Sequence, residues 1–249
     1  MNKVSIIYRI FGFLFLIISI HGCQIDNYDE PSSLLKGHVV YEGKPIGVKA
    51  TGGTVQLQLW QSGYGTETPI AVNVAQDGSY SIMLFDGEYR LVAKDGNGPW
   101  ENRHDEIHFT LKGGAILDYP VVPYYTISNV QFIPNDSKTE LTAKFTVTQV
   151  GESQGLASVF LLIGKTRFID LATTVKQVTS SGVTGEVTLT IDLSDLSKER
   201  ALFARVGARI KNVDEGIFFY FIRAIQKGKL GMHMEMGKCH FLSSYSLNF

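Results

Sequence analysis

Gly151-Glu152-Ser153-Gln154-Gly155 fits the G-x-S-x-G pattern, in which a strained strand-to-helix turn exposes a nucleophilic serine beside an oxyanion hole. Here the pentapeptide joins two β-patterned runs, Leu141 to Val150 and Ala157 to Ile163. Its glycines therefore read as hairpin-loop residues, and no catalytic residue is assigned. Gly164-Lys165-Thr166 matches the end of a phosphate-binding loop, but Val159 stands where that loop needs its first glycine, and no helical pattern follows. His104, Glu106 and His108 would share one face of an extended segment, and two imidazoles with a carboxylate could hold zinc. A polar strand face beside a loop is the better reading, since nothing in the sequence fixes a second shell, and it is the expectation. Met232, Met234, Met236, Cys239 and His240 are soft ligands suited to copper(I) or zinc. They fall in a tail expected to lack order, so no metal and no cofactor is expected.

The aromatic residues are more informative. Val55, Leu57 and Leu59 mark one side of a strand as apolar, which puts Trp60 on the other side with Gln56 and Gln58. Tyr64 follows in a glycine-flanked loop, and Trp100 comes just after Gly98-Pro99 in another. A flat aromatic ring beside amides and carboxylates suits the C–H face of a sugar, so Trp60, Tyr64 and Trp100 are the candidate glycan-stacking residues. The competing expectation is that Trp60 covers a domain interface or that Trp100 plugs one end of a β-sandwich.

The elements that must position these residues read as all-β. From Leu34 onward, short apolar or alternating runs are separated by turn residues, with no long helical periodicity. Strands are expected over Leu35–Tyr41, Val55–Trp60, Ile70–Val74, Tyr80–Leu84, Tyr89–Ala93, Ile107–Leu111 and Ala115–Val122. A second set follows Pro123: Ile127–Phe132, Leu141–Val150, Ala157–Ile163, a looser Phe168–Val178, Val187–Ile191, Leu202–Ile210 and Ile217–Ile225. Asp77-Gly78 and Asp86-Gly87 mark expected tight hairpins. Alternation in Val187 to Leu193 and in Leu202 to Ile210 predicts one buried and one wet face, with Arg205 and Arg209 on the wet one. Asp195 to Arg200 could form one helical turn. A length of 249 residues with 44% hydrophobic content suits two modest domains.

The N-terminus carries an address. Lys3 and Arg9 precede an apolar run from Ile10 to Ile20, then His21, Gly22 and Cys23, which together read as a secretory signal. As a helix the run would span roughly 16 Å, about half of a ~30 Å hydrocarbon core, so it is too short to anchor the chain. Ile20-His21-Gly22-Cys23 resembles a bacterial lipobox, with His21 departing from the usual small or apolar residue. The expectation is lipid attachment at Cys23, which leaves Cys239 without a partner; the alternative is plain secretion with Cys23 as a thiol or paired with Cys239. Gln24 to Ser33 is a polar, acidic tether with Asp26, Asp29 and Glu30, similar to the surface-export signal of Bacteroidetes lipoproteins. The formal charge is −1, and −3 without Lys3 and Arg9, which gives no electrostatic reason to expect nucleic-acid binding.

Gly37-His38-Val39-Val40, Asp77-Gly78-Ser79-Tyr80 and Asp86-Gly87-Glu88-Tyr89-Arg90-Leu91 resemble the carboxypeptidase-regulatory or transthyretin-like sandwich. With Gly96-Asn97-Gly98-Pro99-Trp100, Leu111-Lys112-Gly113-Gly114 and Val121-Val122-Pro123-Tyr124-Tyr125, the resemblance narrows to a Bacteroidetes family of outer-membrane lipoproteins carrying a domain of unknown function. It runs from about Leu34 to Gln226. It implies a signal peptide at 1–22, a tether at 23–33, a transthyretin-like sandwich at 34–122, an immunoglobulin- or fibronectin-like sandwich at 123–226 and an atypical tail at 227–249. Because members are often encoded beside the receptor and lipoprotein pairs of glycan-utilisation loci, it also implies a non-enzymatic accessory to glycan capture or uptake. The alternative is a protein-interaction module of an outer-membrane receptor complex. The family offers no catalytic or binding residues to carry over.

Overall fold

The computed structural model describes residues 29–51, 53–63, 68–103, 105–152, 154–199, 201–219 and 223–226. The expected signal segment, Cys23, Tyr64, His104, Ser153 and the tail with its methionines, Cys239 and His240 lie outside the described residues. The described chain is all-β in two domains, with a single 3-10 turn at Ser194–Leu196. The first domain contains β1 (Ser33–Tyr41), β2 (Lys44–Pro45), β3 (Gln56–Gln61), β4 (Ile70–Asn73), β5 (Ser79–Leu84), β6 (Gly87–Ala93), β7 (Ile107–Leu111), β8 (Gly114–Ile116) and β9 (Tyr119–Pro120). The second contains β10 (Tyr125–Pro134), β11 (Glu140–Gln149), β12 (Leu156–Gly164), β13 (Lys176–Ser181), β14 (Gly185–Asp192), β15 (Ala201–Ile210), β16 (Ile217–Phe218) and β17 (Arg223–Gln226).

Two sheets enclose the core of the first domain. One runs β2-β1-β5, with β8 and β9 parallel to β1, and the other runs β4-β3-β6-β7. Leu35 and Val39 from the first sheet and Leu57, Leu59, Leu91 and Leu111 from the second turn inward and are fully buried. Each such side chain contributes roughly 1.5–3 kcal/mol relative to exposure. Gly37 sits between Leu35 and Val39 because the Leu117 carbonyl, which accepts the Tyr80 hydroxyl, fills the place of a Cβ there. The same crossing breaks the expected Ala115–Val122 strand into β8 and β9, since Leu117 N binds Lys36 O between them.

The two Asp-Gly pairs are not hairpins. β4 and β6 belong to one sheet and β5 between them to the other, so Asp77-Gly78 and Asp86-Gly87 carry the chain across the core. Gly78 adopts φ 84°, and Asp86 fastens the second corner by accepting from Ser33 Oγ and, at 3.0 Å, from Gly113 N. The tight hairpin is β1–β2, where Glu42 and Gly43 both take positive φ, as a mirror-image turn requires.

In the second domain β10-β11-β14 faces β13-β12-β15-β16, and β17 also pairs with β15. Gly151 to Gly155 joins β11 to β12, which lie in different sheets, so this segment is a crossing loop and not the hairpin expected from its glycines. Phe168–Val178 is not a loose strand either. Only Lys176 onward pairs, while the preceding loop packs Ile169 on Phe160 and Leu162 and so buries β12 on both faces.

That covered face explains the largest departure from the sequence pattern. Arg205, expected on the wet side of β15, is fully buried. Its guanidinium donates to Phe219 O (3.0 Å), Ile169 O (3.1 Å) and Gln76 O (2.6 Å), the last in the first domain, and stands 4.5 Å from the Phe218 ring centroid. Around it Asp170 accepts from the Thr51 amide (2.6 Å) and the Thr51 hydroxyl. Lys49 pairs with Glu215 at 3.1 Å, and Phe218 N binds Gly47 O at 3.0 Å. The two domains are thus joined by a polar, hydrogen-bonded seam.

Asp170 gives this seam a pH dependence. Burial alone would raise its pKa, but the hydroxyl and amide of Thr51, the Ala172 amide and the Thr173 hydroxyl outweigh it and hold the carboxyl below its ordinary value. A carboxyl depressed on folding adds stability above the unfolded pKa of about 4 and loses it as pH falls through the folded value. In thermal melts, the advantage of wild type over Asp170→Asn is expected to persist from pH 7 to about 5 and to shrink below about pH 4. A difference that stays constant to pH 2 would contradict this.

Candidate functional site

The outer face of β4-β3-β6-β7 gathers the best-placed chemical groups outside the seam. Strand alternation puts Val55, Leu57 and Leu59 inside, and Gln56, Gln58 and Trp60 outside and half-buried. The same period in β6 turns Tyr89 and Leu91 inward and Glu88 and Arg90 outward. Register then sets Trp60, Arg90 and His108 side by side across three strands.

The Arg90 guanidinium lies 4.7 Å from the Trp60 ring centroid, a cation–π contact of roughly 0.5–1 kcal/mol when exposed. Glu106 anchors that guanidinium through Arg90 Nη1 at 2.5 Å, and its other oxygen lies 3.3 Å from His108 Nε2. Two residues along, Thr110 donates to Glu88 at 2.7 Å, and at the β4 edge Gln56 donates to Asn73 Oδ1 at 3.0 Å. The result is a sheet face with one indole held in place toward the end of β3, with amides on β3 and β4 and a carboxylate–guanidinium–imidazole row on the neighbouring strands. Arg90 lies over one side of the ring, so a sugar would stack on the other, where its slightly positive C–H bonds match the negative potential of the indole, and the surrounding amides and carboxylates can take its hydroxyls.

The proposed aromatic trio is not brought together. Trp60 lies on this face, and Tyr64 is outside the described residues. Trp100 is 3% exposed, forms an isolated bridge with Pro123 and packs beside Gly98 where the two domains meet. Its ring offers no face to a ligand, so its stacking role is corrected to that of a buried core residue. Glu106 and His108 do share a face, but Glu106 is engaged by Arg90. Sequence reasoning missed Arg90, Glu88 and Asn73 as members of the face. The alternation of Glu88 and Arg90 against Tyr89 and Leu91 was the available signal for the first two.

A family model described as the N-terminal domain of a protein of unknown function, DUF3823, matches residues 33–122, and the domain of unknown function DUF3823_C matches residues 125–220. Among solved structures, a DUF3823 family protein from Parabacteroides merdae is 38% identical with a TM-score of 0.73, and one from Bacteroides ovatus is 30% identical with a TM-score of 0.72. Each alignment covers 80% of this chain and 100% of the relative. A Bacteroides uniformis protein provisionally described as a carbohydrate binding protein shares the fold at 17% identity and a TM-score of 0.63, over 79% of this chain and 100% of its own. No curated protein matches the chain.

Proposed function

The chain belongs to the DUF3823 family, and from that membership we propose that it is a non-enzymatic lipoprotein of the outer membrane, displayed at the cell surface, where it serves glycan capture for an uptake complex. In this reading Cys23 carries the lipid, the first domain is a transthyretin-like sandwich and the second an immunoglobulin-like one. The observation that carries it is the Trp60 face: a half-buried indole fixed by Arg90 and Glu106 among hydrogen-bonding side chains on the outer side of a sheet. A relative of the same fold provisionally described as carbohydrate-binding supports it. The acidic tether after Cys23 supports surface display.

The test is retardation of the lipid-free protein in gels containing a panel of soluble polysaccharides. At least one polysaccharide is expected to slow it. If none does, and the protein instead co-purifies with a neighbouring receptor independently of sugar, it is a docking module and not a capture protein.

Attachment is tested separately. Several acyl chains hold a protein to a bilayer far more firmly than one, at roughly 0.8 kcal/mol per buried CH₂. Cys23→Ser is therefore expected to move the protein from the membrane fraction to the soluble fraction; retention as firm as wild type would contradict lipidation at Cys23.

A further inference from the structure

The opposite side of the first domain carries an apolar patch with no role in the capture face. Leu34 of β1 pairs with Met83 of β5 and with Gly114 of β8, and Lys36 pairs with Ile116. Leu35 points into the core, so Leu34, Lys36, Met83 and Ile116 share the outer face of this sheet. Met83 is 49% exposed and Ile116 86%, and Phe85, at the corner after β5, is 44% exposed. Isolated exposed apolar residues need no explanation, but a group of them on one sheet face does. Exposed Lys36 and Lys112 border the patch, and long basic side chains of this kind keep their heads in water while their stems lie along apolar surface.

The patch lies at the end of the domain where the chain enters. β1 starts at Ser33, and Ser33, Asp86 and the turn at Gly113 are tied together by hydrogen bonds. Phe85 and Lys112 adjoin that knot. Only residues 24–32 separate it from Cys23. Fully extended, that segment reaches about 30 Å, so a lipid on Cys23 holds this face within reach of the headgroups.

We infer that the outer face of the β1-β5-β8 sheet, through Leu34, Met83, Phe85 and Ile116, docks onto the surface of the lipid bilayer that holds the anchor. The inference rests on the anchor reading given above. The two sheets of the domain pack face to face, so the Trp60 face is on the far side from this patch. Docking therefore turns the capture face away from the membrane, toward incoming glycan. An amphipathic surface gains affinity for a bilayer in proportion to its buried apolar area, and a covalent anchor makes the weak contact persistent by raising its local concentration.

The experiment uses the full lipidated protein with Cys239→Ser, reconstituted in phosphatidylethanolamine–phosphatidylglycerol vesicles. Single cysteines introduced as Ile116→Cys or Gln58→Cys carry an environment-sensitive fluorophore. At position 116 the probe is expected to shift to the blue, to be quenched by nitroxide-labelled lipid and to be quenched several-fold less by aqueous iodide than the probe at position 58. Protein that floats with the vesicles but gives equal iodide quenching at both positions overturns the docking while leaving the anchor intact. Protein that does not float, with no acyl mass on Cys23, overturns the anchor, and the docking falls with it.

Discussion

Replacing Arg205 by methionine is expected to destabilise the protein by about 2–4 kcal/mol. One buried and two part-buried carbonyls lose a charged donor, at roughly 1–3 kcal/mol for a group left unsatisfied; Gln76 O keeps the Val48 amide at 3.1 Å, and the relief of no longer burying a cation offsets part of the loss. Burial pulls the guanidinium down to about 9 against the opposing effect of the Asp170 and Asp77 carboxylates, so it stays charged at neutral pH and the bonds are charge-assisted. Because one of its acceptors, Gln76 O, belongs to the first domain, the effect reaches beyond local packing. Urea unfolding of wild type is expected as one transition, and that of Arg205→Met as two, the domains coming apart before both unfold. Arg209→Met, four residues along β15 and exposed, is the control and should stay within about 0.5 kcal/mol of wild type. Equal midpoints for the two variants would show that the seam does not depend on Arg205.

Trp60→Ala is expected to lower affinity for a captured polysaccharide at least tenfold, which corresponds to about 1.4 kcal/mol. The ring is the apolar surface on this face best placed for the C–H side of a sugar, while Arg90, Glu88 and Gln58 supply hydrogen bonds that water can largely replace. Stability should change little, since Trp60 is half-exposed and its cation–π contact with Arg90 is worth roughly 0.5–1 kcal/mol. Trp60→Phe, which keeps a smaller ring in the same place, should retain part of the binding. Unchanged retardation of Trp60→Ala in a gel that slows wild type would move the site elsewhere on the molecule.

The contrast between Trp60 and Arg205 defines what the sequence made legible. Both occupy positions that alternate with buried aliphatics, Leu57 and Leu59 in one case and Ala204 and Val206 in the other. Period-two alternation identifies the side of a strand that leaves its own sheet pair, and for Trp60 that side meets solvent. For Arg205 the same side meets the Ile169 loop and the first domain, contacts made by residues far away in the chain. Trp100 fails for the same reason: a loop tryptophan after Gly98-Pro99 looks accessible, but it bridges to Pro123, distant in sequence, and is buried. Asp77-Gly78 and Asp86-Gly87 announce reversals correctly, yet local turn chemistry carries no record of which sheet the next strand joins. The strands themselves and the placement of Gln56, Gln58 and Trp60 on one face needed only local pattern, and they were readable.

Trp60 also provides the most direct test of the capture account, because the chain has two tryptophans and Trp100 is buried. In Trp100→Phe protein the indole emission comes from Trp60 alone. Titration with a polysaccharide that retards wild type is predicted to shift that emission to the blue and to protect it from aqueous quencher, saturating at the same concentration as retardation. Saturable binding with unchanged Trp60 emission and quenching would contradict the assignment of this face as the capture surface.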